Sequence, residues 1–353
     1  MSQLNTRISA FSQLGTFLSQ FTTKGINKLD GIPHNDLFFD AFKMQVERAH
    51  QFNGWFTVEN VLYACEGWHK SLTEKKLKNF TNNIDFKNII PKNIAVVMAG
   101  NIPLVGFHDL LSVLISGHSA IVKQSSNDKH LLPILAKYLE YVSNDFKNKI
   151  NFCEGKLEGF DAVIATGSDN TARYFDHYFG KYPSIIRKSR NSVAVLTGNE
   201  TQEELSNLSD DIFTYFGLGC RSISKIYIPT NYNFDSLFNA VFKHKDIINN
   251  AKYANNYDYN KAVYLMSLFD LLENGFLMLK EDSSYSSPIS SLFYEKYEDL
   301  EKLKKQLITD SDFIQCIVSK GFVDNEVDFG ETQKPKLTDF ADGINTLVFL
   351  SSL

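Results

Sequence analysis

The chain has 353 residues, of which 43% are hydrophobic and 22% are charged. This composition supplies enough apolar side chains for packed cores, which excludes a chain that is disordered over long stretches. The net charge is −5 and there is no basic block, so electrostatic capture of nucleic acid is not expected. At roughly 150 residues per domain, the length allows about two domains.

The cysteines and histidines lack the spacing of a disulfide framework or a metal site. Four cysteines lie far apart and form no CxxC pair, and the eight histidines include no HExxH motif. Neither a disulfide scaffold nor a metal cofactor is therefore predicted.

The sequence has no segment typical of a signal peptide or a membrane span. The first residues include Arg7 and no long apolar run, which argues against a signal peptide. The longest apolar stretch, residues 102–115, is interrupted by His108 and Asp109 and is too short to cross a bilayer. We therefore expect a cytoplasmic globular protein, most simply an enzyme.

Residues 1–90 are predicted to form a helical region. Apolar residues recur at helical spacing between Phe38 and Phe52, and Thr57 is a typical N-cap for the helix that follows. We expect this region to pack on a larger α/β domain.

Residues 91–200 alternate between short apolar runs and helical patterns. Apolar runs of this length predict buried parallel strands, and the helices between them predict a doubly wound sheet covered on both faces. The predicted strands cover 94–99, 120–123, 150–153, 162–165, 184–187 and 193–196.

Residues 201–327 predict a second, smaller α/β domain. Thr201 and Glu204 form a capping box for a helix that runs towards Phe216, and a strand is expected at 225–228. Residues 328–353 are predicted to be a loop followed by a strand at 346–350.

Cys220 is the most informative residue of the second domain. It lies among glycines at a junction between a helix and a strand. The other three cysteines, Cys65, Cys153 and Cys316, lie in apolar runs and are expected to be core residues. We expect Cys220 to be accessible, and the neighbouring Arg221 would favour its thiolate, the nucleophilic form. A structural cysteine in a tight turn and a protease-like pair with a histidine are the alternatives.

The Gly217-x-Gly219 pattern is not a dinucleotide fingerprint, because a helix precedes it and the third glycine is absent.

Four segments occur in the order in which aldehyde dehydrogenases carry similar ones. The segment Gly100-Asn101-Ile102-Pro103 resembles the Asn-Phe-Pro segment of that superfamily, and residues 116–125 resemble its AGNAVVLKPS strand. Residues 165–168 resemble FTGS, and residues 217–220 resemble the GQxC turn that carries the nucleophile.

Within this superfamily the chain is most similar to the LuxC-type acyl-CoA reductases, the fatty-acid reductase component of bacterial luminescence systems. The likeness includes residues 53–61, residues 329–335 and residues 341–346. The resemblance implies an aldehyde-dehydrogenase-like α/β fold, in which a doubly wound parallel-sheet domain binds a nicotinamide cofactor and a smaller α/β domain is catalytic. It also implies reduction of a fatty acyl-CoA or acyl-protein thioester to the aldehyde, a homo-oligomer, and an acyl-transferring partner enzyme.

The resemblance implies catalytic roles for two residues. Cys220 would take the acyl group as a thioester, and the Asn101 side chain with the Cys220 backbone N–H would donate to the oxyanion. The local alternative for Asn101 is a helix cap or turn residue before Pro103.

The resemblance also implies a cofactor site at the carboxyl edge of the first sheet. Lys123 would hold the adenosine ribose, with Ser125 and Ser126 beside it, and Gly167 and Ser168 would face the pyrophosphate. NAD-preferring relatives often have a glutamate at the position of Ser126. Its loss removes repulsion against a 2′-phosphate and favours NADPH, with NADH as the alternative. A solvated strand end for Lys123 and an ordinary helix cap for Ser168 are the competing interpretations.

One departure from the superfamily pattern concerns the fate of the acyl group. Hydrolytic aldehyde dehydrogenases activate water with a glutamate, whereas the corresponding stretch here, 185–191, contains no acid. Release by hydride or by another thiol is therefore favoured over hydrolysis. Glu200 or Glu281 could supply a base only by folding next to the site. A CoA-acylating or hydrolytic aldehyde dehydrogenase and a non-catalytic acyl-binding subunit are the alternative functions.

Overall fold

A computed structural model describes residues 3–86 and 89–353, apart from the side chain of Asp169. The chain divides into two compact units: Met1–Lys188 together with Lys336–Leu353 form the first, and Ser189–Pro335 form the second. The predicted boundary between the two α/β domains, at 200/201, lies after the observed boundary at 188/189.

Among the described residues, fourteen α-helices and β-strands of the first unit precede the second unit. They are α1 (Gln3–Leu18), β1 (Phe21–Thr22), β2 (Gly25–Ile26), α2 (Asn35–Phe52), α3 (Val58–Ser71), α4 (Glu74–Thr81), β3 (Asn93–Val97), α5 (Phe107–Ser116), β4 (Ser119–Lys123), α6 (Leu131–Val142), β5 (Ile150–Phe152), β6 (Ala162–Thr166), α7 (Asp169–Phe179) and β7 (Ser184–Arg187).

Strands β3 to β7 form one parallel sheet in the order β5-β4-β3-β6-β7. The central strand β3 is apolar and buried along Ile94, Ala95 and Val96, as a strand covered on both faces requires. At its end Val97 lies in register with Lys123 of β4 and Ala165 of β6. The carboxyl ends of three neighbouring strands therefore meet at one edge of the sheet.

The N-terminal helices share a core with this sheet and with α5 and α6. Phe17 of α1 lies against Phe42 of α2 and stacks on Tyr138 of α6, with a centroid separation of 4.7 Å for the stacked pair. Thr57 caps α3 through its side chain, as predicted. The helical region thus supplies much of the apolar packing of the first unit.

The second unit has its own sheet and core. Its elements are β8 (Asn191–Val195), α8 (Gln202–Phe213), β9 (Ile223–Pro229), α9 (Phe234–Val241), α10 (Ala251–Met266), β10 (Leu271–Glu273), β11 (Met278–Glu281), β12 (Ser291–Tyr297), α11 (Leu300–Thr309) and β13 (Ile314–Val318).

The second sheet has the strand order β10-β11-β12-β9-β8-β13 and is parallel except for the β10–β11 pair. The capping box of Thr201 and Glu204 at the start of α8 is present as predicted. Strand β8 pairs with β9 and β13, so it belongs to this sheet and not to the sheet of the first unit. This pairing explains why the predicted domain boundary lies too late in the chain.

The predicted C-terminal strand at 346–350 is wrong, because these residues form helix α12 (Thr346–Ser351). Asn345 caps the helix by accepting the backbone N–H groups of Leu347 and Val348. A five-residue apolar run does not distinguish a strand from a short helix, and here the cap decides.

Residues 336–353 are bonded to the rest of the first unit through two histidines, of which His118 is buried and His108 is half-buried. The Nε2 atom of His108 donates to the carbonyl of Leu337 at 2.9 Å. His118 accepts the Lys92 N–H at Nδ1, so its proton lies on Nε2, which donates to the carbonyl of Leu350 at 3.0 Å.

In the part of the chain that the structure describes, none of the helices has both the length and the apolar character needed to cross a membrane.

Candidate active site

Cys220 lies in the second unit, in the segment between α8 and β9. The predicted helix does not continue to Phe216: α8 ends at Phe213, and Tyr215, Phe216 and Gly217 then have φ values of 56°, 59° and 75°. The left-handed conformation costs a non-glycine residue roughly 1–2 kcal/mol. A strained turn therefore precedes Cys220.

The four cysteines differ in exposure. Cys220 is exposed, Cys65 and Cys316 are buried, and Cys153 is partly exposed. The expectation that Cys153 lies in a core is wrong, because it follows β5 at the edge of the first sheet, where its Sγ donates to the carbonyl of Lys156. Access thus distinguishes Cys220 from the two core cysteines.

The backbone around Cys220 is fixed by hydrogen bonds on both sides. The Ser192 hydroxyl, at the start of β8, donates to the Cys220 carbonyl at 2.9 Å. Ser222 Oγ accepts the N–H of Gly219 at 3.2 Å and the side-chain amide of Gln333 at 3.1 Å. The turn is therefore held both by the sheet and by a segment more than 100 residues later in the chain.

Arg221 makes a contact that the sequence did not reveal. Its Nε donates to the carbonyl of Thr332 at 2.5 Å. The side chain thus ties the residue after Cys220 to the later segment, while its influence on the thiolate stays a prediction.

The other predicted site residues lie in the first unit, at the carboxyl edge of its sheet. Asn101 follows β3, Lys123 ends β4 and is followed by Ser125 and Ser126, and Gly167 with Ser168 follows β6. Because these three strands are neighbours, the structure brings the six residues to one edge, which is where open parallel sheets bind ligands.

The loops that follow β3 and β4 are in direct contact. A Cβ atom on Gly100 would lie 2.5 Å from the Cβ of Ser125, so only glycine allows this approach. Lys123 is not simply a solvated strand end, because its Nζ donates to the carbonyl of Gly155 at 2.9 Å.

Asp128 lies in the loop after β4, and no motif in the sequence distinguishes it from another acidic loop residue. Its carboxylate accepts the N–H of Leu104 at 2.9 Å, and Leu104 has a left-handed φ of 57°. Burial raises the pKa of Asp128 to about 6, against the lowering effect of the Leu104 hydrogen bond. Asp128 thereby fixes the loop that contains Asn101.

Gly167 and Ser168 have structural functions at the start of α7. Ser168 caps the helix by accepting the Thr171 N–H, as the competing interpretation of this residue expects. The Gly167 N–H donates to the carbonyl of Arg187 at 3.2 Å, and a Cβ on Gly167 would approach Phe175 within 2.9 Å. A phosphate at this terminus would thus have to bind other groups than the Gly167 amide.

The stretch that lacks the hydrolytic glutamate has a structural function. It covers β7 and the start of β8, and Arg187 within it is buried with its guanidinium 2.5 Å from the Asp109 carboxylate. Arg187 also donates to the Thr346 hydroxyl at 2.9 Å.

The two glutamates considered as substitute bases lie elsewhere in the second unit. The Glu200 carboxylate follows the carboxyl end of β8 and accepts the N–H groups of Thr197 and Gly198, whereas Cys220 is bonded at the amino end of β8. Glu281 ends β11 and pairs with Lys296 at 3.0 Å. Neither carboxylate faces the Cys220 turn.

Among the residues that the structure describes, no cluster of histidine, cysteine or acidic side chains could hold a metal ion.

Residues 70–242, about half of the chain, match the sequence model of the acyl-CoA reductase (LuxC) family. The predicted family is confirmed. With it the enzyme class is confirmed as an oxidoreductase. The comparison with curated proteins gave no match.

Solved structures of aldehyde dehydrogenases share the fold. Aldehyde dehydrogenase 21 from Physcomitrella patens, in complex with succinate, is 11% identical with a TM-score of 0.62 and covers 86% of this chain and 70% of its own. The Pseudomonas aeruginosa enzyme KauB is 11% identical with a TM-score of 0.60, covering 90% and 72%. The P. syringae indole-3-acetaldehyde dehydrogenase AldA, solved as a mutant with NAD⁺ and IAA, is 12% identical with a TM-score of 0.62, also covering 90% and 72%. These likenesses confirm the predicted aldehyde-dehydrogenase-like α/β fold.

Proposed function

We propose that the protein reduces a fatty acyl-CoA, or an acyl-protein thioester, to the aldehyde with NADPH, through an acyl-enzyme on Cys220. The observation that carries the proposal is the setting of Cys220. It is exposed, it follows a strained turn, and its backbone is fixed by hydrogen bonds from Ser192 and Ser222. A nucleophile needs both access and a fixed direction of attack.

The first step is acyl transfer to the enzyme. The Cys220 thiolate attacks the carbonyl carbon of the acyl thioester, a new C–S bond forms, and coenzyme A leaves as its thiolate. Following the family motif, the Asn101 side-chain amide and the Cys220 backbone N–H donate to the oxyanion.

The donor groups at the carboxyl edge of the first sheet fit a phosphorylated dinucleotide. The ammonium of Lys123 and the hydroxyls of Ser125 and Ser126 suit sugar hydroxyls and a phosphate. Serine at position 126 places no carboxylate against a 2′-phosphate, which favours NADPH over NADH. When bound there, NADPH would supply the hydride that reduces the thioester carbon. The hemithioacetal on Cys220 would then collapse, releasing the aldehyde and restoring the Cys220 thiolate.

Reduction is favoured over hydrolysis because no glutamate considered as a base faces Cys220. General-base assistance is typically worth about 10²–10⁴-fold, so the acyl-enzyme is expected to persist in water until hydride is supplied. A hydrolytic dehydrogenase would instead release free fatty acid.

The test is the intact mass of the protein after mixing with an acyl-CoA. Wild type should gain one acyl group, Cys220→Ala should gain none, and Cys153→Ala, which removes the partly exposed cysteine, should behave as wild type. Single-turnover NADPH oxidation over a series of chain lengths then identifies the preferred acyl group.

Each contrary result points to a different function. Acyl mass on Cys220→Ala would overturn the nucleophile assignment, and free fatty acid as the main product with NADPH present would indicate a hydrolytic dehydrogenase. A wild-type protein that binds acyl-CoA without gaining mass would indicate a non-catalytic subunit.

A further inference from the structure

Residues 330–333, which we call the strap, lie more than 100 residues after Cys220 and bind helix α8 through one buried carboxylate. Asp211 of α8 is 1% exposed. It accepts the Gly330 N–H at 2.6 Å, the Thr332 N–H at 2.9 Å and the Thr332 hydroxyl at 2.7 Å. Three donors from one segment thus converge on a single acid.

The strap in turn bonds to both residues that follow Cys220. The carbonyl of Thr332 accepts from Arg221 Nε at 2.5 Å, and the Gln333 side chain donates to Ser222 Oγ at 3.1 Å. Because Ser222 Oγ also accepts the Gly219 N–H, the contact extends to the residue before Cys220.

The strap lies close against α8. Gly330 has a φ of 84°, and a Cβ atom there would lie 3.0 Å from the Cβ of Asn207. Any larger residue would therefore be strained both by its backbone conformation and by its contact with Asn207. This close approach brings the Gly330 N–H to the Asp211 carboxylate.

The turn before Cys220 needs such support. Tyr215 and Phe216 adopt left-handed conformations, and strained backbone of this kind persists only where the surroundings impose it. Burial raises the pKa of Asp211, while its three hydrogen bonds lower it. Burying a carboxylate without partners would destabilise the fold. The Asp211 carboxylate is stabilised instead by hydrogen bonds from three donors of the strap.

We propose that Asp211 is a positioning residue, which holds Cys220 in its attacking geometry through the strap. This inference rests on the proposed function, because it takes Cys220 as the nucleophile. It adds that a residue which does not touch the substrate determines how fast the acyl-enzyme forms.

The test compares Asp211→Asn with Asp210→Asn. Both changes remove one negative charge from the same turn of α8, but Asp210 pairs with Lys243 and His244 instead of the strap. The amide in Asp211→Asn places a donor against a strap N–H. We expect the rate of Cys220 acylation by acyl-CoA to fall about 10- to 100-fold in Asp211→Asn and to stay within about two-fold of wild type in Asp210→Asn.

A second pair keeps the test valid if Asp211→Asn does not fold. Thr332→Val removes the hydroxyl that donates a hydrogen bond to Asp211, and Thr332→Ser keeps this hydroxyl. We expect Thr332→Val to slow acylation and Thr332→Ser to restore the rate.

A readout independent of acyl-CoA is the pH profile of Cys220 alkylation by iodoacetamide. The profile should change in Asp211→Asn and Thr332→Val. If Asp211 had only a structural role, the two substitutions would lower the unfolding temperature and leave the alkylation profile of the folded protein unchanged. The proposal is overturned if both variants are acylated and alkylated at wild-type rates. If wild type gains no acyl mass, the proposed function fails, and the alkylation profiles still decide the positioning role.

Discussion

At the residue scale, bulky side chains with left-handed backbone occur beside both parts of the proposed chemistry. Leu104 lies in the loop of the predicted oxyanion donor, and Tyr215 and Phe216 precede the predicted nucleophile. Each conformation costs roughly 1–2 kcal/mol. A buried carboxylate stabilises the backbone in both places: Asp128 accepts the Leu104 N–H directly, and Asp211 acts through the strap. Neither carboxylate is distinguishable in sequence from a surface acid.

Asp128 leads to a prediction about pH. Its folded pKa of about 6 lies above the usual value of 3.8, so the folded state binds the proton more tightly than the unfolded state. Stability is therefore lost as the pH rises through this window. Asp128→Asn keeps an oxygen for the Leu104 N–H without the charge, and it should stabilise the protein at pH 8 by about 1–3 kcal/mol.

Chemical denaturation at pH 4 and pH 8 measures this effect, and the gain should be absent at pH 4. The control is Asp161→Asn, since Asp161 is exposed and also accepts one backbone N–H, that of Asn93. An equal gain in the control, or the same gain at both pH values, would contradict the prediction.

At the element scale, helix α10 is followed by a leucine, Leu268, at a left-handed position where glycine is usual. Leu268 has a φ of 57°, its N–H donates to the carbonyl of Leu265, and the Phe269 N–H donates to the carbonyl of Tyr264. These two bonds form a Schellman motif, and the rings of Tyr264 and Phe269 provide its apolar contact. Leu268 itself is 90% exposed, so its side chain contributes little packing.

We therefore predict that Leu268→Gly is more stable than Leu268→Ala by about 1 kcal/mol. Both substitutions remove the exposed leucine side chain, but only glycine relieves the left-handed strain. Thermal unfolding of the two variants makes the comparison, and equal unfolding temperatures would show that the strain is not relieved.

The elements also show how far the sequence could predict this protein. Apolar runs located the strands of the first sheet, and the capping box located α8, because both signals are local. The sheet to which β8 belongs depends on its partners β9 and β13, which no local pattern specifies. The strap was recognised as a family motif, but its bonds to α8 cross more than 100 residues.

At the scale of the whole molecule, the proposed cofactor residues and the proposed nucleophile fall on different units. The predicted cofactor residues lie on the first sheet, and the predicted nucleophile with its strap lies in the second unit. Since each unit has its own sheet and core, cofactor binding and acyl transfer should be separable by mutation.

Lys123→Met tests this separation. It removes the ammonium predicted to hold the adenosine ribose, and loss of a charge-assisted hydrogen bond should weaken NADPH binding by about 1–3 kcal/mol. Acylation of Cys220 without cofactor should proceed at the wild-type rate, because Lys123 is not one of the groups proposed for that step, which are Cys220 and Asn101. Lys137→Met, which removes an exposed lysine paired with Glu140 on α6, is the matched control and should leave both properties unchanged.

NADPH titration and intact mass measure the two properties on the same samples. An unchanged dissociation constant would remove Lys123 from the cofactor site, and a simultaneous loss of acylation would show that the two functions are coupled.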